Sequence, residues 1–388
     1  MKYYIIAGEA SGDLHGSNLM KGLYARDPEA DIRFWGGGLM NEVYKAHQCG
    51  EGLVQDYKDG AVIGFIQVLF KARAYADRFK RCFNDILSWN PDVVILIDFP
   101  GFNFRVAEFA HKKGYKVFYY IAPKVWASRE SRVKKIKAYV DKLFIVFPFE
   151  IPYFTRKGID FIYKGNPLLD AIDNSPLMNM GRRDFLQDNN LEDRPSIALL
   201  AGSRSGEITS MMPTFASFAD AMRKIPEYSE YQFLIAAAPN RTKEDYAQWT
   251  RGRESYLKVI FNQSYAVIRH SVAAVVNSGT ASLETALIGT PQVVAYKGMR
   301  INFAIAKLII KINFISLGNL ILGRTCFREL IQDYFTTENL VNEVRRLIED
   351  NEYRTTMLSG YEEIRNSLGG KGASEAVADA MIAELKKD

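Results

Sequence analysis

Ile197-Ala-Leu-Leu-Ala-Gly-Ser-Arg-Ser-Gly-Glu207 is an apolar run that stops at Gly202-Ser203-Arg204 and gives way to a long segment of helical character. It reads as a buried strand, a tight turn and a helix start. Such a turn gathers unpaired backbone N–H groups and the positive end of a helix dipole, a place suited to phosphate. Arg204 adds a guanidinium able to grip phosphate through two hydrogen bonds. Taken alone, the stretch is equally an ordinary strand–helix turn with a surface arginine.

A second stretch of the same kind changes the balance. Ala273-Ala-Val-Val-Asn-Ser-Gly-Thr280 runs as a strand into Ser278-Gly279-Thr280, and a helix over 281–287 carries Glu284 in its first turns. A carboxylate there can accept hydrogen bonds from ribose hydroxyls; the alternative is a plain helix surface. Two such turns fit one parallel sheet that binds its ligand beyond the carboxyl ends of the strands.

Around them the chain alternates strand and helix. Strands are expected at Tyr3–Ala7, Ile32–Trp35, Asp92–Ile97, Lys116–Ile121, Leu143–Phe147 and Phe161–Tyr163. In the second half they are expected at Tyr231–Ala236, Tyr256–Ile260, Ala273–Val276 and Gln292–Ala295, with a helical tail ending in Ser374–Lys387. Asp92-Val-Val-Ile-Leu-Ile97 is the clearest buried parallel strand, and it delivers Asp98 to a carboxyl edge as an N-cap-like group or a general base. Tyr3–Ala7 delivers Gly8-Glu9-Ala-Ser11-Gly-Asp13 to the same kind of edge. Glycines 8, 12 and 16 do not make G-x-G-x-x-G, so a dinucleotide fingerprint is unsupported. Asn166 to about Pro176 reads as a linker between halves.

At 388 residues the chain exceeds one ordinary core, and two domains are expected. Charged residues make up 24%, and 50 Lys+Arg against 45 Asp+Glu give +5, too little to require nucleic acid. Three separated cysteines and four histidines suggest neither a disulfide framework nor a zinc site, and no D-x-D motif appears, so neither metal nor cofactor is expected. A reducing cytosol is the natural compartment. The stretch Val62-Ile-Gly-Phe-Ile-Gln-Val-Leu-Phe70 is apolar nearly all round and is followed by Lys71, Arg73, Arg78, Lys80 and Arg81. It is either a buried helix with a solvated far end or an apolar patch (Ile63, Phe65, Ile66, Leu69) lying on an anionic membrane.

Ala7-Gly-Glu-Ala-Ser-Gly-Asp13, Asp98-Phe-Pro-Gly-Phe-Asn103, Pro148-Phe-Glu150, Gly202-Ser-Arg204 and Ser278-Gly-Thr-Ala-Ser-Leu-Glu284 together resemble the lipid-A-disaccharide synthase family, in order over nearly the whole chain. The resemblance implies an α/β GT-B fold, two Rossmann-like domains facing each other across a crevice. The expected division is 1–165 plus about 370–388 for the acceptor, and 166–369 for the nucleotide sugar. It implies an inverting transferase acting on UDP-2,3-diacylglucosamine and 2,3-diacylglucosamine 1-phosphate, peripheral on the inner-membrane lipid surface at its cytoplasmic face. Oligomeric state stays open, a homodimer included. Asp98 matches the family's essential carboxylate, with Glu9 and Asp13 next in line, and Arg204 matches its nucleotide-side arginine. Asn319 and Glu329 match the family's asparagine and glutamate on the nucleotide side, together with Gly202, Ser203, Ser278, Gly279, Thr280 and Glu284. Asn166, Gln67 and Ser128 depart from the family's usual residues. Two further readings stand beside this one. One is a different GT-B enzyme, such as a UDP-sugar epimerase or a transferase with a soluble acceptor. The second is a non-catalytic UDP-sugar-binding module.

Overall fold

The computed structural model describes residues 1–60, 68–126, 130–239, 241–298 and 313–387. Ile63, Phe65, Ile66, Gln67, Ser128 and the apolar stretch 299–310 lie outside them. Leu69 falls in the helix Val68–Trp89, whose side chains are described from residue 75 onward. Among the described residues, no helix is long and apolar enough to cross a membrane.

The chain forms two compact units, Met1–Ala171 with Leu368–Asp388, and Ile172–Ser367. In the first, seven strands lie in the order β3-β2-β1-β4-β5-β6-β7, all parallel. They are β1 (Lys2–Ala7), β2 (Asp31–Gly36), β3 (Leu53–Asp56), β4 (Val93–Ile97), β5 (Lys116–Tyr120), β6 (Lys142–Ile145) and β7 (Phe161–Tyr163). The central strands are apolar on both faces because helices cover both, as a parallel sheet requires. Tyr3, Ile5, Val93 and Ile95 pack to one face, and Tyr4, Ile6, Val94 and Leu96 to the other. Sequence pattern does not announce β3, a short edge strand that ends in Gln55 and Asp56, nor the helix Gly38–His47.

The last helix, Ala373–Leu385, belongs to this first unit. Val377, Ala378, Met381 and Ile382 share a core with Leu19, Met20 and Leu23 of the helix Ala10–Arg26. Arg26 pairs with Asp379 at 2.8 Å. A Cβ on Gly22 would stand 3.0 Å from that of Ala378, so glycine lets the two helices approach closely. The Asp170 carboxylate accepts from the Gly372 and Ser374 amides at 2.7 and 2.8 Å, a negative charge at a helix N-terminus. Asp170 lies on the helix Pro167–Asp173, where the sequence suggests a linker. Pro167 stands at the first helical position, Asn166 Oδ1 accepts from the Leu168 amide at 2.9 Å, and Leu168, Leu169 and Ile172 are buried.

In the second unit six parallel strands run β10-β9-β8-β11-β12-β13. They are β8 (Ser196–Leu200), β9 (Gln232–Ala236), β10 (Leu257–Ile260), β11 (Ala273–Asn277), β12 (Gln292–Tyr296) and β13 (Glu329–Ile331). In both sheets the order reverses beside the first strand of the unit, between β1 and β4 and between β8 and β11. Ligands of open α/β sheets bind at such switch points.

Candidate functional site

In the second unit Leu200 of β8 is level with Val276 of β11, so the Gly202 and Ser278 turns emerge side by side at the switch point. Gly202 has φ +96, and a Cβ there would strike the Glu207 carboxylate and the Asn277 amide group. The helix Ser205–Arg223 starts at once, but its cap differs from expectation. Glu207 Oε2 accepts from the Ser203 and Arg204 amides at 3.0 and 3.2 Å, and Oε1 meets the Arg204 guanidinium at 3.2 Å. A capping carboxylate therefore takes two of the N–H groups that the turn would otherwise leave unpaired. The Arg204 side chain remains 67% exposed, so its pairing with Glu207 leaves much of it in solvent.

Beside it the Ser278 hydroxyl donates to the Ile315 carbonyl at 2.9 Å. That carbonyl is fixed from behind. Glu329 accepts from the Ile315 and Ser316 amides, both at 3.0 Å, from the Ser316 hydroxyl, and from Asn319 Nδ2 at 3.0 Å. Asn319 Oδ1 accepts from the Cys326 and Phe327 amides at 2.8 and 3.3 Å. Asn319 and Glu329 thus turn their polar atoms inward and anchor the loop that closes on the Ser278 turn. Glu284, on the helix Thr280–Ile288, accepts from the Tyr265 hydroxyl at 3.0 Å, and burial pushes its carboxyl upward in pKa. Tyr265 comes from a separate helix, Ser264–Arg269, and local pattern does not reveal it.

In the first unit Ala7 of β1 is level with Ile97 of β4, so Gly8-Glu9 and Asp98 share the switch point. A Cβ on Gly8 would run into the Phe99 ring, which shows how closely the two turns pack. Asp98 and Phe99 both have left-handed backbones, with φ of 41 and 46. Glu9 is the N-cap of the helix Ala10–Arg26. Asp13 is buried, with its carboxylate engaged by the amides of Gly37, Leu39 and Met40 at 2.8, 3.1 and 3.1 Å. Burial raises its pKa against the pull of those amides.

Glu150 is buried beyond the end of β6, and the sequence marks it only as part of a motif. Its carboxylate accepts from the Val146 and Phe147 amides at 3.1 and 3.0 Å and from the Trp126 indole at 3.3 Å. Burial nevertheless pushes its pKa up to about 7. A carboxyl raised in the folded state stabilises fully below its unfolded pKa near 4.5 and loses that contribution as pH rises through about 7. Between those limits the slope is about 1.4 kcal/mol per pH unit. Thermal melts from pH 5 to pH 8 should therefore fall more steeply for the native chain than for Glu150→Gln. Equal slopes would mean that the buried carboxyl is not raised.

Along the seam between the helices Val68–Trp89 and Pro100–Lys112 runs a groove of about 1080 Å³. Tyr75, Phe79, Phe83 and Phe109 line it, and Lys80, Arg105 and Lys112 stand among its lining residues. Phe79 stacks on Phe102 at 4.5 Å, and Phe102 packs on Phe99 at 5.8 Å, which connects the groove wall to the Asp98 turn.

Two parallel Rossmann-type sheets, each with its own switch point, define a GT-B protein. Solved structures agree on the fold. A putative UDP-N-acetylglucosamine 2-epimerase from Listeria monocytogenes matches with a TM-score of 0.68 at 14% identity, covering 100% of this chain and 97% of that one. A calicheamicin glycosyltransferase matches at 0.58 and 16% identity, covering 99% and 98%.

Sequence relatives narrow the class. The family model described as Lipid-A-disaccharide synthetase matches residues 3–381. Lipid-A-disaccharide synthases of Geobacter metallireducens and Trichlorobacter lovleyi are 36% and 34% identical, each alignment covering 99% of this chain and 97% of the relative. The chain belongs to the lipid-A-disaccharide synthase family and is a glycosyltransferase of lipid A biosynthesis.

Proposed function

We propose that the chain transfers 2,3-diacylglucosamine from UDP-2,3-diacylglucosamine to the 6-hydroxyl of 2,3-diacylglucosamine 1-phosphate, inverting the anomeric centre and releasing UDP. The observation that carries this reading is Asp98, brought by β4 to a switch point beside Glu9. As the acceptor oxygen bonds to the anomeric carbon, its proton passes to the Asp98 carboxylate. The bond to the UDP phosphate oxygen breaks, and its electron pair leaves on the diphosphate. Arg204 and the first turns of the helices after Gly202 and Gly279 stabilise that charge. Glu284 holds the ribose, and Asn319 and Glu329 act through the loop they anchor on Ser278. Glu9 flanks the acceptor, while Asp13 serves the edge by fixing the loop at Gly37.

In this reading the first unit takes the acceptor and the second the nucleotide sugar. The enzyme works on the inner face of the inner membrane, its lipid contact made by the apolar segment 62–70 and its basic neighbours. The aromatic groove with basic residues at Lys80, Arg105 and Lys112 supports a lipid-facing side.

The test is release of UDP with acylated and deacylated acceptors in the presence of anionic vesicles. Turnover should require the acyl chains, and protein should sediment with the vesicles unless Phe65, Ile66 and Leu69 are all changed to serine. Equal turnover without acyl chains would indicate a soluble-acceptor transferase. An epimerised UDP-sugar would indicate a UDP-sugar epimerase, and UDP-sugar binding with no turnover a non-catalytic binding module. Vesicle binding unchanged in the folded triple variant would remove the assigned membrane surface.

A further inference from the structure

The turn that presents Asp98 is made of residues ill suited to it. The buried strand β4 ends at Ile97, and the helix Pro100–Lys112 begins after only two linking residues. The link is Asp98 at φ 41 and Phe99 at φ 46, ψ 52, two consecutive side-chain-bearing residues in the left-handed region. Aspartate tolerates that region; a bulky residue such as phenylalanine seldom enters it. Pro100 follows, and its ring further restricts the residue before it. Left to local preference, this link would relax, and the Asp98 side chain would move with it. Backbone in such a conformation persists only where its surroundings over-determine it.

The surroundings here are two buried donors on one atom. The Tyr119 hydroxyl donates to the Asp98 carbonyl at 2.6 Å, and Asn103 Nδ2 donates to the same carbonyl at 2.8 Å. Asn103 Nδ2 also lies 3.2 Å from the Ile97 carbonyl, and the Asp98 amide donates to the Tyr120 carbonyl at 3.2 Å. Tyr119 and Asn103 are both fully buried, one on the neighbouring strand β5 and one on the first turn of the following helix. Strand pairing sets Tyr119 level with Leu96, so its long side chain reaches the carbonyl two residues on. A phenylalanine would fill the same space without the donor.

We propose that Tyr119 and Asn103 are positioning residues of the transfer reaction, holding the Asp98 peptide in its left-handed turn so that the carboxylate faces the acceptor hydroxyl. The inference rests on Asp98 being the base. Tyr119 and Asn103 are both fully buried, which keeps them from reaching substrate directly. Their contribution is to the fraction of enzyme whose base is in place, so it falls on kcat and not on donor KM. Misplacing a catalytic group by about 1 Å can cost roughly a hundredfold.

The experiment is a double-mutant cycle on the full chain with both lipid substrates. Tyr119→Phe should lower kcat by roughly ten- to a hundredfold, with donor KM within about twofold of native and a native circular dichroism spectrum. In an Asp98→Asn background, the same change should alter the residual rate by less than about twofold, because no base remains to be placed. Equal losses in the two backgrounds would mean a merely structural tyrosine and overturn the proposal. So would native kcat in Tyr119→Phe while Asp98→Asn is impaired, which leaves the base assignment standing. Full turnover in Asp98→Asn alone would instead refute the base and take the positioning role with it. If Tyr119→Phe does not fold, Asn103→Leu, which lacks the amide donor at similar size, is read by the same criteria.

Discussion

Asp98→Asn lowers turnover by roughly a hundredfold or more and leaves UDP affinity nearly unchanged. The replacement is close to isosteric, and the two donors that hold this turn bind the Asp98 carbonyl, which the substitution keeps. What disappears is the ability to accept a proton from the attacking hydroxyl. UDP affinity is the internal control, because the groups assigned to the nucleotide belong to the other compact unit. Steady-state rates with both lipid substrates, paired with calorimetric titration of UDP, read the two quantities on one preparation. Native turnover in this variant would move the base elsewhere, with Glu9 the next candidate at the same switch point.

Arg204→Ala gives the opposite signature. It weakens UDP binding as well as turnover, because the diphosphate is present in both the ground state and the transition state. A hydrogen bond to a charged group contributes about 1.5–3 kcal/mol, so the loss of affinity should be roughly ten- to a hundredfold. The turn itself should survive, since Glu207 Oε2 caps the Ser203 and residue 204 amides through backbone contacts that an alanine retains. A calorimetric titration in which Arg204→Ala binds UDP as tightly as the native chain would place the diphosphate away from this turn. Because Glu207 also meets the guanidinium, the variant leaves one carboxylate oxygen at the turn without that partner, and Glu207→Gln is the control for the exposed carboxylate.

Both variants act on residues that the sequence exposes, and the reason is local. Parallel strands covered on both faces must be apolar throughout, so Asp92–Ile97, Ile197–Leu200 and Ala273–Val276 announce themselves. The first polar or glycine residues after such runs are the ones a strand delivers to its carboxyl edge. That logic finds Asp98, Gly202 and the Asn277-Ser278 pair without any knowledge of neighbours. It fails where a residue's role depends on what another segment brings. The edge strands β3 and β13 are short and carry polar residues, so their pattern is weak, and pairing alone makes them strands. Asn319 and Glu329 stand out in the sequence as polar residues after an apolar stretch, but only the fold turns them inward onto the 315–316 and 326–327 amides. Tyr265 meets Glu284, and Tyr119 meets the Asp98 carbonyl, across separate elements whose proximity follows from strand order. Sequence by itself determined the strand–turn–helix units and the residues at their tips. Tertiary structure decided which tips share a switch point and which buried donors hold them there, because hydrogen bonds between segments distant in the chain leave no periodic trace in either one.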